Sequence, residues 1–398
     1  MLCFTTNSGI YILMRILFLE SAQNFGGARK AVISMAQVLK ESYDVEIADI
    51  YGSCVPFVDA CQASSIKTSI LFSGSDPYYI RSSTSKLRKY CNLLTFIPHL
   101  YNVGKRIAVY ADENNVDWIC ISGFRPLMAM LFVQPKAKIV FFAHGWYINS
   151  QLSWLQKFLL KHLADKIVCI SEATKHAIYN NNILPLSKLA VVHNCIDTEI
   201  IKHVEPNKID NEYHLPIIMH CGGFTRGKGQ HIAIKVVEEL YSRGIACLLI
   251  MAGIVYQGRE SKEYFDYVKE LVAQSPVANN IHFVVNQNNV YGYIRSCDVL
   301  IHPSETEGFP LVVMEAQAMR KPVVANSVGG VTDMILHNFT GFLPNHNNVK
   351  EYADIIENLL SDKQLYNRIA DNAYNLTRNC FSEEQQYLSL IKIFADNE

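Results

Sequence analysis

The sequence predicts an α/β protein made of two doubly wound domains, and three observations carry that prediction. Short apolar, β-branched runs alternate with amphipathic helical stretches along the whole 398-residue chain, the rhythm of parallel strands joined by helical crossovers. The rhythm is interrupted once, at 201–214, by a polar stretch with Pro206 and no strong pattern, which reads as an interdomain linker. At about 150 residues per domain, the length also asks for more than one.

The first half offers strand candidates at 15–20, 44–50, 116–122, 138–144, 166–171 and 188–194. The second restarts with 215–221, 246–253, 280–285, 299–304 and 322–326. Helical spacing lies between them, as at Ile232, Val236, Val237 and Leu240. Ser382-Glu383-Glu384-Gln385 is a capping box that opens a terminal helix. The expected domains are 1–200 and 201–378, with 379–398 a helix packing back on the first. In such sheets ligands sit outside the carboxyl ends of the strands, so the chemistry is sought in the loops that follow them.

Composition narrows the function classes. Charged residues are 18% against 49% hydrophobic, which excludes intrinsic disorder. A net charge of −1 argues against a dedicated nucleic-acid binder. The 11 cysteines form no CxxC pair and no metal-like spacing, so they read as reduced thiols; Cys169, Cys221 and Cys247 lie in apolar runs as small core residues. No apolar stretch approaches the ~20 residues of a membrane span. Residues 10–19 are apolar but Arg15 interrupts them, and no convincing cleavage site follows. Residues 1–13 read as a tail, with Met14 as an alternative start, and the expected location is the cytoplasm.

Four glycine-bearing loops stand at strand ends. In Ser304-Glu305-Thr306-Glu307-Gly308-Phe309-Pro310-Leu311, a strand turns into a helix whose unpaired N–H groups at Gly308, Phe309 and Leu311 suit anionic or polar oxygen. Glu315 follows at a position that looks packed, where a ligand's hydroxyls would satisfy a carboxylate; a partly exposed helical glutamate is the alternative. Cys221-Gly222-Gly223-Phe224-Thr225-Arg226-Gly227-Lys228-Gly229 lets the backbone approach a ligand, with Arg226 and Lys228 to neutralise phosphate. It is neither GxGxxG nor a P-loop. Val328-Gly329-Gly330-Val331 and Asn24-Phe25-Gly26-Gly27 are further strand-to-helix turns, each of which is also an ordinary tight connection. His144 ends a strand, where catalytic and structural readings both stand.

In order and spacing, the Glu307-x7-Glu315 segment, the glycine-Lys228-Gly turn and the Gly329-Gly330 turn resemble the retaining glycosyltransferases of family 4, which have the GT-B fold of two Rossmann-like domains facing a cleft. Ile170-Ser171-Glu172 and His193-Asn194-Cys195-Ile196-Asp197 extend the likeness over nearly the whole chain from Met14, strongly in the second half and weakly in the first. The resemblance implies an acceptor-binding first domain and a nucleotide-sugar-binding second one. It implies that Glu315 binds ribose hydroxyls, that Glu307 and the backbone of Gly308, Phe309, Pro310 and Leu311 hold the transferred sugar, and that Lys228 binds the diphosphate and stabilises the leaving group. Gly223, Arg226, Gly330 and Val331 would complete the donor site. His144 would sit by the sugar from the first domain, and Gly26 and Gly27 would line the acceptor side. His144, Glu307 and Lys228 are thus the expected catalytic set.

Three residues depart from the family pattern. Gly222-Gly223-Phe224 stands where Gly-Arg-Leu is usual, with Arg226 as a hypothetical substitute for the missing arginine. Cys195 replaces a glycine, and Asp333 a common glutamate. No DxD pair occurs, so the expectation is a metal-independent reaction without cofactor, the donor being a UDP- or GDP-sugar as substrate. Residues 77–110 carry no Asp or Glu, but they hold Arg81, Lys86, Arg88, Lys89, Lys105 and Arg106 interleaved with Tyr78, Tyr79, Tyr90, Phe96 and Tyr101. That pattern suggests peripheral contact with an anionic membrane face or a lipid-diphosphate acceptor, against a plain solvated helix face. By family frequency the expected setting is bacterial surface polysaccharide assembly (O-antigen or other lipopolysaccharide, capsule, exopolysaccharide). A sugar-nucleotide epimerase and a non-catalytic nucleotide-sugar binding protein are the alternatives.

Overall fold

The computed structural model describes residues 13–72, 86–147, 152–256, 258–287 and 290–395, with the backbone alone for 86–95 and 200. The chain divides into two compact units; one runs to Cys195 and resumes at Glu383, and the other is Ile196–Ser382. Both are the doubly wound α/β units expected from the strand–helix rhythm.

The first unit holds a parallel sheet of seven strands: β1 Arg15–Glu20, β2 Asp44–Asp49, β3 Lys67–Ile70, β4 Trp118–Ile121, β5 Lys138–Ala143, β6 Lys166–Cys169 and β7 Leu189–Val191. Their spatial order is β3-β2-β1-β4-β5-β6-β7. Both faces are covered, and the period-two alternation sorts side chains between them. Leu17, Leu19, Ile119, Ile121 and Phe141 enter one core; Ile16, Phe18, Trp118, Val140 and Phe142 enter the other.

The terminal helix Glu383–Ala395 belongs to that second core through Leu390, Ile393 and Phe394. Phe394 meets Trp118 edge-on at 5.7 Å, and Lys166 Nζ donates to the Ile393 carbonyl at 2.8 Å. Gln386 Nε2 donates to His193 O at 2.8 Å and its Oε1 accepts from Cys195 Sγ, which fixes the helix against the segment where Cys195 replaces glycine.

The second unit has five parallel strands: β8 Ile217–Cys221, β9 Leu248–Gly253, β10 Ile281–Val285, β11 Val299–His302 and β12 Val323–Ala325. Their order is β10-β9-β8-β11-β12. The stretch expected as a linker begins as the last two residues of helix Thr198–Lys202 and then lies on this unit. Arg295 Nη2 donates to the Ile201 and Lys202 carbonyls, and Ser296 Oγ to Asn207 O at 3.0 Å.

In each sheet the strand order reverses once, between β1 and β4 and between β8 and β11. In doubly wound sheets the carboxyl ends of the strands at such a reversal are where ligands bind. The reversal between β8 and β11 positions the two loops richest in chemistry.

Candidate active site

The loop after β8 is shaped by close approaches. Gly222 N–H donates to Ala252 O at 2.9 Å, and Phe224 is buried against Phe265 and Phe283. The buried Gln230 amide donates to the carbonyls of Gly222 (3.2 Å) and Gly223 (3.1 Å). A short 3₁₀ turn, Arg226–Lys228, leads to Gly229 at φ +75°, the left-handed conformation that glycine adopts without a Cβ penalty. A Cβ there would also lie 2.2 Å from Pro303 O. Glu305 N–H donates to Gly227 O at 2.8 Å, so the loop after β11 is stitched to the loop after β8.

That stitching brings Lys228 and Glu307 together. Lys228 Nζ lies 2.7 Å from Glu307 Oε1, and His302 Nε2 is also 2.7 Å from that oxygen. Ser304 Oγ stands 3.2 Å from His302 Nε2. Glu307 is buried, whereas Lys228 is 31% exposed, so the ammonium is the member of the pair that meets solvent. Burial alone would raise the Glu307 carboxyl, but the charge and hydrogen bond of His302, then those of Lys228, outweigh it and hold it at about 2. His220 anchors the lysine's backbone, with Nε2 2.8 Å from Lys228 O. Burial lowers His220 to about 4, so it is neutral and its Nε2–H donates to that carbonyl.

Pro310 is the N-cap of helix Leu311–Ala318, and the N–H groups of Gly308 and Leu311 meet no acceptor among the described residues. Phe309 is buried and its ring meets Phe381 edge-on at 5.2 Å. Glu315, on the same helix, is 7% exposed and hydrogen-bonds with the Tyr291 hydroxyl. Burial and the Glu315 charge push that phenol well above its ordinary range, so Tyr291 keeps its proton and donates it to the carboxylate.

In the turn at Gly330, the Val331 N–H already donates to Val328 O at 3.1 Å, so its contact with a donor is not available through that group. Arg226 is exposed, and its charge is felt by His231 and Tyr264. The space beside Gly223 is taken by Tyr256. Among the described residues no three His, Cys, Asp or Glu side chains converge as a metal site requires.

The first unit has its own polar cluster at the β1/β4 reversal. Gly26 caps helix Gly27–Leu39, and a Cβ on it would meet open space. Arg29 Nε lies 3.1 Å from the buried Glu20 carboxylate, which also bonds with Ser122. Burial raises the Glu20 carboxyl, and Arg29 and Ser122 offset part of that rise. His144 Nε2 is 3.2 Å from Ser122 Oγ, and its Nδ1 is buried without a partner. Burial and then the Arg29 charge lower His144 to about 3, so the ring is neutral near pH 7.

Sequence reading alone did not single out His302, His220, Tyr291, Glu20, Arg29 or Ser122. His220 and His302 did leave a signal, as imidazoles closing otherwise apolar strands. Tyr291 left none.

In the second unit, residues 202–376 match the family described as "Glycosyl transferases group 1". Residues 25–200, which span most of the first unit and reach just past its end, match "Glycosyltransferase Family 4". The Staphylococcus aureus "Capsular polysaccharide biosynthesis glycosyltransferase CapM" is 27% identical over 240 residues, 58% of this chain and 61% of that relative, less than two thirds of its length. An "Uncharacterized glycosyltransferase" of Haemophilus influenzae is 24% identical over 89% of this chain and 93% of its own. Among solved structures, the Anabaena protein Alr3699/HepE in complex with UDP-glucose aligns with a TM-score of 0.79 at 19% identity, covering 96% of this chain and 99% of that one. With both halves matched and the paired sheets shared with these structures, the chain belongs to glycosyltransferase family 4 and has the GT-B fold.

Proposed function

We propose that the protein moves a sugar from a nucleoside diphosphate sugar to a saccharide acceptor with retention of configuration. The observation that carries this reading is the Lys228–Glu307–His302 group held between the loops of the β8/β11 reversal. Without donor, Glu307 neutralises the Lys228 ammonium. On binding, the diphosphate competes for that ammonium, while Glu307 stays held by His302 and turns its free oxygen to the sugar. Glu315, with Tyr291 keeping it oriented, accepts from the ribose hydroxyls. Gly308 and Leu311 offer their N–H groups, and Gly223, Arg226, Phe309, Pro310, Gly330 and Val331 complete the donor's surroundings.

As the glycosidic bond breaks, negative charge grows on the leaving phosphate, and Lys228 stabilises it. The acceptor attacks the face the phosphate leaves, and the phosphate takes the acceptor's proton. His144, neutral, is assigned a hydrogen bond to the sugar; Gly26 and Gly27 are assigned to the acceptor. With no DxD pair, Lys228, Arg226 and backbone N–H groups are the proposed neutralising charges, and no cofactor is required.

A bacterial polysaccharide acceptor is favoured by the capsular relative, and a UDP-sugar by the UDP-glucose complex of the Anabaena neighbour. Product analysis with EDTA present tests the reading. Sugar transfer only when acceptor is added, with the anomeric configuration kept, is the expected result. Turnover of donor without acceptor would make it an epimerase, no turnover a binding protein, and loss of activity on chelation would overturn metal independence.

A lipid-linked acceptor and peripheral membrane contact form part of the same proposal. Lys105 and Arg106 are exposed on helix Lys86–Glu113, as are Ile97 (52%) and Tyr101 (46%). Lys86, Arg88 and Lys89 belong to that helix with their side chains outside the described residues, and Arg81 lies outside them altogether. Among the described residues no helix is long and apolar enough to cross a membrane. Reversing Lys105 and Arg106 to Glu is expected to weaken binding to phosphatidylglycerol vesicles and leave nucleotide affinity unchanged. Equal vesicle binding by the variant would remove the membrane from the account.

A further inference from the structure

Lys228 and Tyr256 both lie against the glycines of the loop after β8. The lysine stem runs beside Gly222, where a Cβ would meet Lys228 Cδ at 3.5 Å. On the next residue stands Tyr256, whose ring and hydroxyl fill the place a side chain on Gly223 would take. A Cβ there would lie 2.5 Å from Tyr256 Cε2 and 2.6 Å from its hydroxyl oxygen. The tyrosine comes from the segment after β9, the strand next to β8 in the sheet.

Its backbone is fixed there. Tyr256 N–H donates to Ser261 Oγ at 3.0 Å, and the Ser261 hydroxyl, itself buried, donates to Phe224 O at 2.7 Å. One serine therefore ties the segment after β9 to the glycine loop. The Tyr256 hydroxyl meets no hydrogen-bond partner among the described residues, and the residue is half-buried. A phenol laid across Gly223 with its hydroxyl unspent, one residue along the chain from the glycine that the Lys228 stem runs beside, is a donor in search of an acceptor.

We propose that Tyr256 is a further binding residue of the donor site: its hydroxyl gives a hydrogen bond to the diphosphate that Lys228 neutralises. This rests on the transferase reading above and adds to it a contact from a third loop. Lys228 supplies charge from the Gly222 side and Tyr256 a neutral, directional bond from the Gly223 side. Glycine at 223 is then required because any side chain would displace the ring.

The test is binding of UDP, GDP and ADP, and of the corresponding nucleosides, by calorimetry to wild type, Tyr256→Phe, Gly223→Ala and the double variant. Phenylalanine keeps the ring over Gly223 and removes only the hydroxyl. The diphosphate that binds wild type is expected to bind Tyr256→Phe about tenfold more weakly, the range of one hydrogen bond to a charged group, while its nucleoside binds both equally. Gly223→Ala is expected to give a similar loss by moving the ring. The double variant should lose no more than the single ones, as required when both changes remove one contact.

Diphosphate affinity within twofold of wild type in Tyr256→Phe would overturn the proposal and leave the transferase reading intact. Equal losses for nucleoside and diphosphate would also overturn it, since they would mark a general packing role. A wild type that binds no nucleoside diphosphate would overturn both.

Discussion

Lys228→Ala is expected to lower kcat by about 10²–10³, the usual cost of removing one preorganised group aimed at developing charge. The leaving diphosphate gains charge as the bond to the sugar breaks, and Lys228 is the ammonium held at this loop by Glu307 and, through its backbone carbonyl, by His220. The fold should survive. Lys228 is 31% exposed, so solvent screens part of its pairing with Glu307, and His302, the larger influence on that carboxylate, stays in place. Steady-state kinetics with the unfolding midpoint measured alongside check this; a kcat within tenfold of wild type would assign the leaving-group charge elsewhere.

The second large effect concerns stability and pH. Glu307 is held at about 2 against an ordinary 4.5, so its folded value is depressed. Its ionised form therefore stabilises the fold fully above the unfolded value, and that contribution is lost as pH falls toward the folded one. At about 1.4 kcal/mol per tenfold, the contribution near neutrality is roughly 3 kcal/mol. Glu307→Gln cannot ionise and lacks this dependence. The stability gap between wild type and Glu307→Gln should be largest at pH 7 and narrow by about 2 kcal/mol by pH 3. Urea unfolding at a series of pH values measures it, and a gap that stays constant or widens on acidification would mean that Glu307 is not held ionised by His302 and Lys228.

Most of the fold was legible because its strands are apolar and buried on both faces. Ile16 to Leu19 and Val299 to Ile301 announce themselves as β-branched and apolar runs. β3 does not: Lys67-Thr68-Ser69-Ile70 lies at the sheet's edge, with its two ends exposed, and has no apolar run to find. It joins the sheet through β2, helped by Lys67 and Ser69 on the buried Glu46 carboxylate, which no local pattern encodes.

The site divides in the same way. Lys228, Glu307 and Glu315 stood out because charge among glycines, or on a packed helix, is unusual locally. Their partners come from elsewhere. His302 lies in a strand, Tyr291 sits 24 residues before Glu315, and Tyr256 stands on a different loop from Gly223. Such partners are set by the sheet's topology, which spacing along the chain does not report. Val331 shows the converse case, since its turn looked open in sequence although the chain's own Val328 carbonyl takes its N–H.

The central claim is that the second unit holds a nucleoside diphosphate with Glu315 on its ribose. Thermal unfolding of wild type and Glu315→Ala with UDP, GDP and ADP, EDTA present throughout, tests it most directly. A ligand that binds only the folded chain raises Tm, by about 2.7 kcal/mol of added stability at a hundredfold excess over Kd. The account predicts a rise with one nucleotide that Glu315→Ala loses. No rise with any nucleotide, or a rise that Glu315→Ala keeps in full, would contradict it.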